Sequence, residues 1–221
     1  MKIIETISSW NEITVKQFQG FYQVQCKTYN DEDERSDRLI NIVYGLSQEE
    51  ILSLSVASYK TLLLSISSLQ NIDIPIGSKS EISVNGNRYC VELDTTKLPN
   101  ASHMSVFKYF PKTDKEVIES LHYLVARVVC PLRKNIFGKW VKQKHEQRYF
   151  DQYCSDISQA SVADVFSLFT YYQTSLLEIA KYNLRYDKTN LIKEAKSIGL
   201  TDSQLKNSME IFDRLIKESK N

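Results

Sequence analysis

A mainly α fold with one inserted β-hairpin is predicted by three features of this sequence. Six glycines and four prolines among 221 residues fall well below the usual share of roughly 12%. That leaves too few chain breakers for a many-turned sandwich or a propeller. Apolar residues recur at three- and four-residue spacing behind Ser/Thr capping signals over most of the length. The exception is Asn85-Gly86 between alternating apolar positions, the strongest short hairpin signal. Together these predict helical bundle-like halves with a minor β component, in a chain long enough for one sizeable domain or two small ones.

Thr14 followed by Gln17 reads as a capping box for a first helix over 15–28, with Phe18, Phe21, Tyr22, Cys26 and Tyr29 at helical spacing. Asp31-Glu32-Asp33-Glu34 then reads as a solvated connector, and Asp37 as the cap of a short helix carrying Leu39, Ile40, Ile42, Val43 and Leu46. Ser47 with Glu50 starts another short turn of helix, with Ile51, Leu52 and Leu54 inward. Ser55 caps a longer helix whose stripe is Tyr59, Leu62, Leu63, Ile66 and Leu69. A two-residue turn at Asn85-Gly86 pairs Ile82 with Tyr89 and Val84 with Asn87. Ile82, Val84, Tyr89 and Val91 then share a buried face, while Glu81, Ser83, Arg88 and Cys90 form a mixed, solvated one. A lone hairpin is marginal in water, so it decorates the helical core or offers an edge to a further strand.

Beyond the apolar segment Met104–Phe110, Thr113 with Glu116 caps a dense apolar helix over 116–130 that Pro131 ends. Periodicity weakens over the next thirty residues. Ser161 with Asp164 then opens a long aromatic helix containing Val165, Phe166, Phe169 and Tyr172, expected to pack on the preceding apolar helix. Asn190 and Thr201, with Gly199 between them, mark a closing pair of helices. This divides the chain into a helical unit over 1–70, a hairpin region over 71–98, a second helical unit over 99–182 and a terminal helical hairpin over 183–221.

Charge is nearly balanced, 28 Lys plus Arg against 27 Asp plus Glu, which argues against a general polyanion binder. Residues 133–151 depart from that balance: Arg133, Lys134, Lys139, Lys142, Lys144 and Arg148 face only Glu146 and Asp151. Residues 1–20 lack the apolar core of a signal peptide, which predicts a cytoplasmic chain, and no apolar run is long enough to span a membrane. Cys26, Cys90, Cys130 and Cys154 are widely separated and read as buried, reduced thiols.

No catalytic, cofactor or metal motif emerges. The glycines are too dispersed for a dinucleotide or phosphate loop, and His145-Glu146 lacks a second histidine because Tyr149 occupies that position. His122 sits between apolar stripe positions and reads as a core or boundary histidine. A hidden hydrolase would need His122 or His145 joined to a nucleophile. Lys and Arg interleaved with Phe137, Trp140, Tyr149 and Tyr153 have the chemistry to neutralise phosphates and stack on bases. The plainer reading is aromatic core residues with solvated lysines.

The opening Trp10-Asn11-Glu12-Ile13-Thr14-Val15-Lys16-Gln17-Phe18 resembles the start of a group of small proteins encoded with the structural genes of tailed bacteriophages. The group is described as tail-assembly-chaperone-like and includes members from crAss-like phages. Later parts follow in similar order: Leu46-Ser47 before Glu49-Glu50-Ile51, the helix from Tyr59 to Leu69, the hairpin from Ile82 to Tyr89, the apolar helix at 116–130 and the aromatic helix after Ser161, Ala163 and Asp164. The likeness covers about residues 8–182. Leu98-Pro99-Asn100-Ala101-Ser102 stands where the group has a second Thr-x-x-Gln-aromatic helix start.

The resemblance implies a non-enzymatic protein of phage morphogenesis, in the virion or in the host cytoplasm during assembly. Its partners would be other phage structural proteins, with no cofactor and no membrane. The alternative is nucleic-acid binding through Arg133, Lys134, Lys139, Trp140, Lys142, Lys144 and Arg148. A homo-oligomer is a further candidate, in which that basic surface meets Asp31, Glu32, Asp33 and Glu34 of a neighbouring copy.

Overall fold

The computed structural model describes residues 5–71, 73–94, 97, 113–175 and 178. The chain divides into a compact unit, Met1–Gln173, and a second unit, Thr174–Asn221. The first is mainly helical with one small antiparallel sheet, as expected. The segment Met104–Phe110 and the terminal helical hairpin over 183–221 lie outside the described residues.

Thr14 caps α1 (Val15–Gln25) with the predicted box: its hydroxyl accepts from the Gln17 amide at 3.2 Å, and Gln17 Oε1 accepts from Thr14 N at 2.9 Å. The buried Trp10 ring meets Phe18 and Phe21 edge-on at 5.4 and 5.9 Å. Thus Trp10 and Phe18 of the opening motif are core. α1 stops three residues short of the predicted end, because the exposed Lys27, Thr28 and Asn30 give a further turn no apolar face.

The acidic stretch is a helix start, not a connector. α2 runs Glu32–Tyr44, and Asp31 caps it by accepting from Asp33 N at 2.9 Å. Three carboxylates in the first turn complement the helix dipole, and Glu32 and Glu34 pair with Arg35 and Arg38 at 3.3 and 2.9 Å. Asp37, predicted to cap, instead accepts from Tyr59 Oη at 2.8 Å and Gln48 Nε2 at 2.9 Å. α3 (Gln48–Leu52) has the Ser47–Glu50 capping box, but its single turn buries only Ile51 and leaves Leu52 exposed. α4 (Val56–Gln70) buries Leu62, Ile66 and Leu69.

β1 (Glu81–Val84) and β2 (Asn87–Val91) pair in the predicted register, with Asn85 and Gly86 at φ 51° and 76°. The hairpin is the start of a four-stranded sheet ordered β1-β2-β3-β4. α5 (Asp114–Val128) ends two residues before the predicted limit and passes directly into β3 (Val129–Lys134). Pro131 disfavours helical geometry at Cys130, and the strand offers both residues partners on β2. Glu92 N donates to Val128 O at 2.7 Å, which sets the ladder's phase. β2 then exchanges bonds with Cys130 and Leu132, and Pro131 falls between them, where β2 needs no donor from it.

The face predicted to be solvated is therefore partly covered. Cys90, Cys130 and Leu132 form a buried cluster there. Cys90, Cys130 and Cys154 are buried free thiols, whereas Cys26 is exposed. β4 (Trp140–Lys142) completes the sheet.

Where periodicity was weak, a short 3-10 turn at Gln147–Tyr149 leads into α6 (Phe150–Gln159), which buries Tyr153, Cys154, Asp156 and Ile157 against α1, α5 and β1. Within the first unit α7 occupies 162–173. Val15 N donates to Ala160 O at 3.0 Å, Val162 N to Ile13 O at 2.8 Å, and Phe18 meets Phe166 at 6.0 Å, so α7 is clamped to the start of α1. Among the described residues no helix is long and apolar enough to cross a membrane.

Candidate functional site

The basic segment is a β-ribbon, β3 and β4 joined by Asn135–Lys139. Asn135 organises its tip. Its carbonyl accepts from Gly138 N at 2.9 Å, its N–H donates to Lys139 O at 2.8 Å, and its side-chain oxygen accepts from Phe137 N and Lys139 N at 2.9 and 3.0 Å. Gly138 adopts the left-handed φ of 74° that closes such a turn. This small rigid loop turns Ile136 and Phe137 outward at 92% and 79% exposure. Trp140 and Val141 are exposed further along the ribbon.

Strand alternation sorts the cations onto two faces. Lys134 and Trp140 are cross-strand neighbours, and Arg88 lies on the same face. The Trp140 ring therefore sits between the Arg88 guanidinium at 5.2 Å and the Lys134 ammonium at 5.3 Å, a cation–π ladder across β2, β3 and β4. Arg88 also pairs with Glu81 at 2.6 Å. Lys142 is committed to the buried Glu92 carboxylate at 3.1 Å.

Arg133 faces the other way. With Lys144, Arg148, Gln143, Gln152 and Tyr149 it borders a cleft of about 240 Å³ between the sheet and the start of α6. Arg148 pairs with Glu146 at 2.7 Å and lies over Tyr149 at 4.7 Å. Among the described residues Arg133, Lys139 and Lys144 have no ion-pair partner.

All seven predicted basic or aromatic residues thus lie on or beside one ribbon, while Asp31, Glu32, Asp33 and Glu34 serve the cap and first turn of α2. The sequence reading missed Asn135, Ile136, Gly138 and Val141. The signal is Asn135-x-x-Gly138, a turn motif between strands rich in lysine and arginine.

The two described histidines are each held by a hydrogen bond. His122 Nδ1 accepts from Gln19 Nε2 at 3.0 Å. His145 Nδ1 donates to the Val129 carbonyl at 2.8 Å. Burial lowers the pKa of both. Neither is hydrogen-bonded to a hydroxyl or thiol among the described residues. Burial raises the Cys130 thiol to about 12 and Cys154 to about 11, the opposite of an activated nucleophile. Among the described residues no group of His, Cys, Asp and Glu could hold a metal ion. No family model, curated protein or solved structure matches the chain.

Proposed function

We propose that this chain is a non-enzymatic assembly or virion protein of a tailed bacteriophage, and that the β3–β4 ribbon is the element by which it docks on another phage structural protein. The phage assignment rests on the likeness of the Trp10–Phe18 opening and the order of the following parts. The single observation that carries the mode of action is the ribbon tip. Two large apolar side chains are held in solvent by a turn with four internal hydrogen bonds. An apolar tip of this kind gains little from its own fold and much from a partner's pocket. Its rigidity lowers the ordering cost of association.

The acidic start of α2 gives less support to self-assembly through charge, since Glu32 and Glu34 are already engaged within their own helix. Affinity capture from phage-infected cells tests the reading. The wild-type chain should retain a phage structural protein, and the double variant Ile136→Ser, Phe137→Ser should lose it while unfolding at an unchanged temperature. Mass spectrometry of purified particles separates the roles: presence in the virion marks a structural component, and absence leaves a chaperone. Capture of no phage structural protein would overturn the proposal.

A further inference from the structure

We infer that the cleft between β2–β3 and the start of α6 is a binding site for a phosphate group, separate from the ribbon tip and independent of the partner that tip takes. The cleft holds about 240 Å³, several times the ~30 Å³ share of one water molecule. Four cations border it, Arg88, Arg133, Lys144 and Arg148, against the one carboxylate of Glu146. That carboxylate is taken up by Arg148, leaving Arg133 and Lys144 with no counter-charge among the described residues. Gln143 and Gln152 add amide donors, and Tyr149 adds an aromatic wall.

The placement follows from the register. Arg133 stands opposite Val141 and one pair along from Leu132 and Lys142, so its side chain leaves the sheet on the Tyr89 face, toward α6. Arg88 also borders the cleft, but its guanidinium is on the reverse face with Glu81 and Trp140. Two arginines on paired strands thus have different fates. One is neutralised and stacked, and the other is left for an anion. A guanidinium with an ammonium and neutral amide donors around a small concavity suits a phosphate monoester or diester, whose oxygens accept several charge-assisted hydrogen bonds at once. Such a phosphate is either carried by a free small molecule or is one link of a nucleic-acid backbone.

Titrating the isotope-labelled full chain with inorganic phosphate and, separately, with a short single-stranded oligonucleotide tests the site, read by the side-chain amide resonances of Gln143 and Gln152. Saturable shifts with phosphate place the site among those for free phosphorylated molecules. Saturation by the oligonucleotide alone, with affinity falling steeply as salt rises, identifies a backbone phosphate. In either case Arg133→Gln or Lys144→Gln should weaken binding about tenfold. Lys60→Gln and Lys139→Gln, which remove equal charge away from the cleft, should change it less than about twofold. Circular dichroism confirms that each variant is folded. No saturable shift with either ligand, or equal losses in all four variants, would overturn the inference.

Discussion

Tyr89 Oη donates to Asp156 Oδ2 at 2.5 Å in the interior of the protein, joining β2 to α6. The same carboxylate accepts from Asn87 Nδ2 at 2.9 Å and Asn85 Nδ2 at 3.3 Å. One buried acid therefore fixes the hairpin turn to a helix about seventy residues further along the chain. Burial, and then the bond to Asp156, push the Tyr89 phenol far above its ordinary range, so it remains a donor at every working pH.

Asp156→Ala strands the Tyr89 hydroxyl and the Asn87 amide without an acceptor, and should cost about 2–4 kcal/mol in urea unfolding. Tyr89→Phe, which removes one donor from the carboxylate, should cost about 1.5–3 kcal/mol. Losses below about 0.5 kcal/mol in both would show that the network does not hold the sheet on α6.

Lys142→Met removes the ion-pair partner of the Glu92 carboxylate, which is 4% exposed. A loss of about 2 kcal/mol is expected, less than for a fully buried pair because Lys142 is itself half in solvent. Adding Glu92→Gln should recover most of it. A double variant no better than the single one would contradict the pairing.

Acid should destabilise the fold through its histidines. Burial holds His145 below its ordinary pKa of 6.5, the bond to the Val129 carbonyl opposes this, and Arg127 adds to the lowering. His122 is lowered by burial as well. The unfolded chain thus takes up protons first. Stability from these groups is complete above pH 6.5 and declines as pH falls from there through their folded values. The melting temperature should be lower at pH 5.5 than at pH 7.5. His145→Gln, whose amide can still donate to Val129, should flatten part of that dependence. An unchanged slope would remove His145 as a cause.

Gly138→Ala meets no steric neighbour but must hold φ at 74°. Ribbon amides should exchange faster, by an amount corresponding to about 1 kcal/mol. Gly138→Asn should cost less, since asparagine tolerates that region. Equal exchange in all three proteins would mean that the turn does not order the tip.

Local signals were legible in the sequence where they act alone. Thr14–Gln17 and Ser47–Glu50 cap their helices, and Asn85-Gly86 sets its hairpin's register. What was not legible depends on partners distant in the chain. Pro131 reads as a helix terminator, and only its place between the bonding positions of β2 shows it inside a strand. α6 has a polar sequence because one inward position is Asp156, whose partners are on the hairpin. The basic segment stands out in the sequence by its charge, yet charge alone does not distinguish the neutralised Lys142 from Arg133, which has no ion pair among the described residues. That difference arises from Glu92 and from the alternation of β3.

The ribbon's role is tested most directly by placing a photo-reactive phenylalanine analogue at Phe137 and irradiating assembling phage. Leu64, 71% exposed on α4, is the control position. The docking proposal predicts a covalent adduct between position 137 and another phage structural protein, with none from position 64. No adduct from position 137 beyond the level seen at position 64 would contradict it.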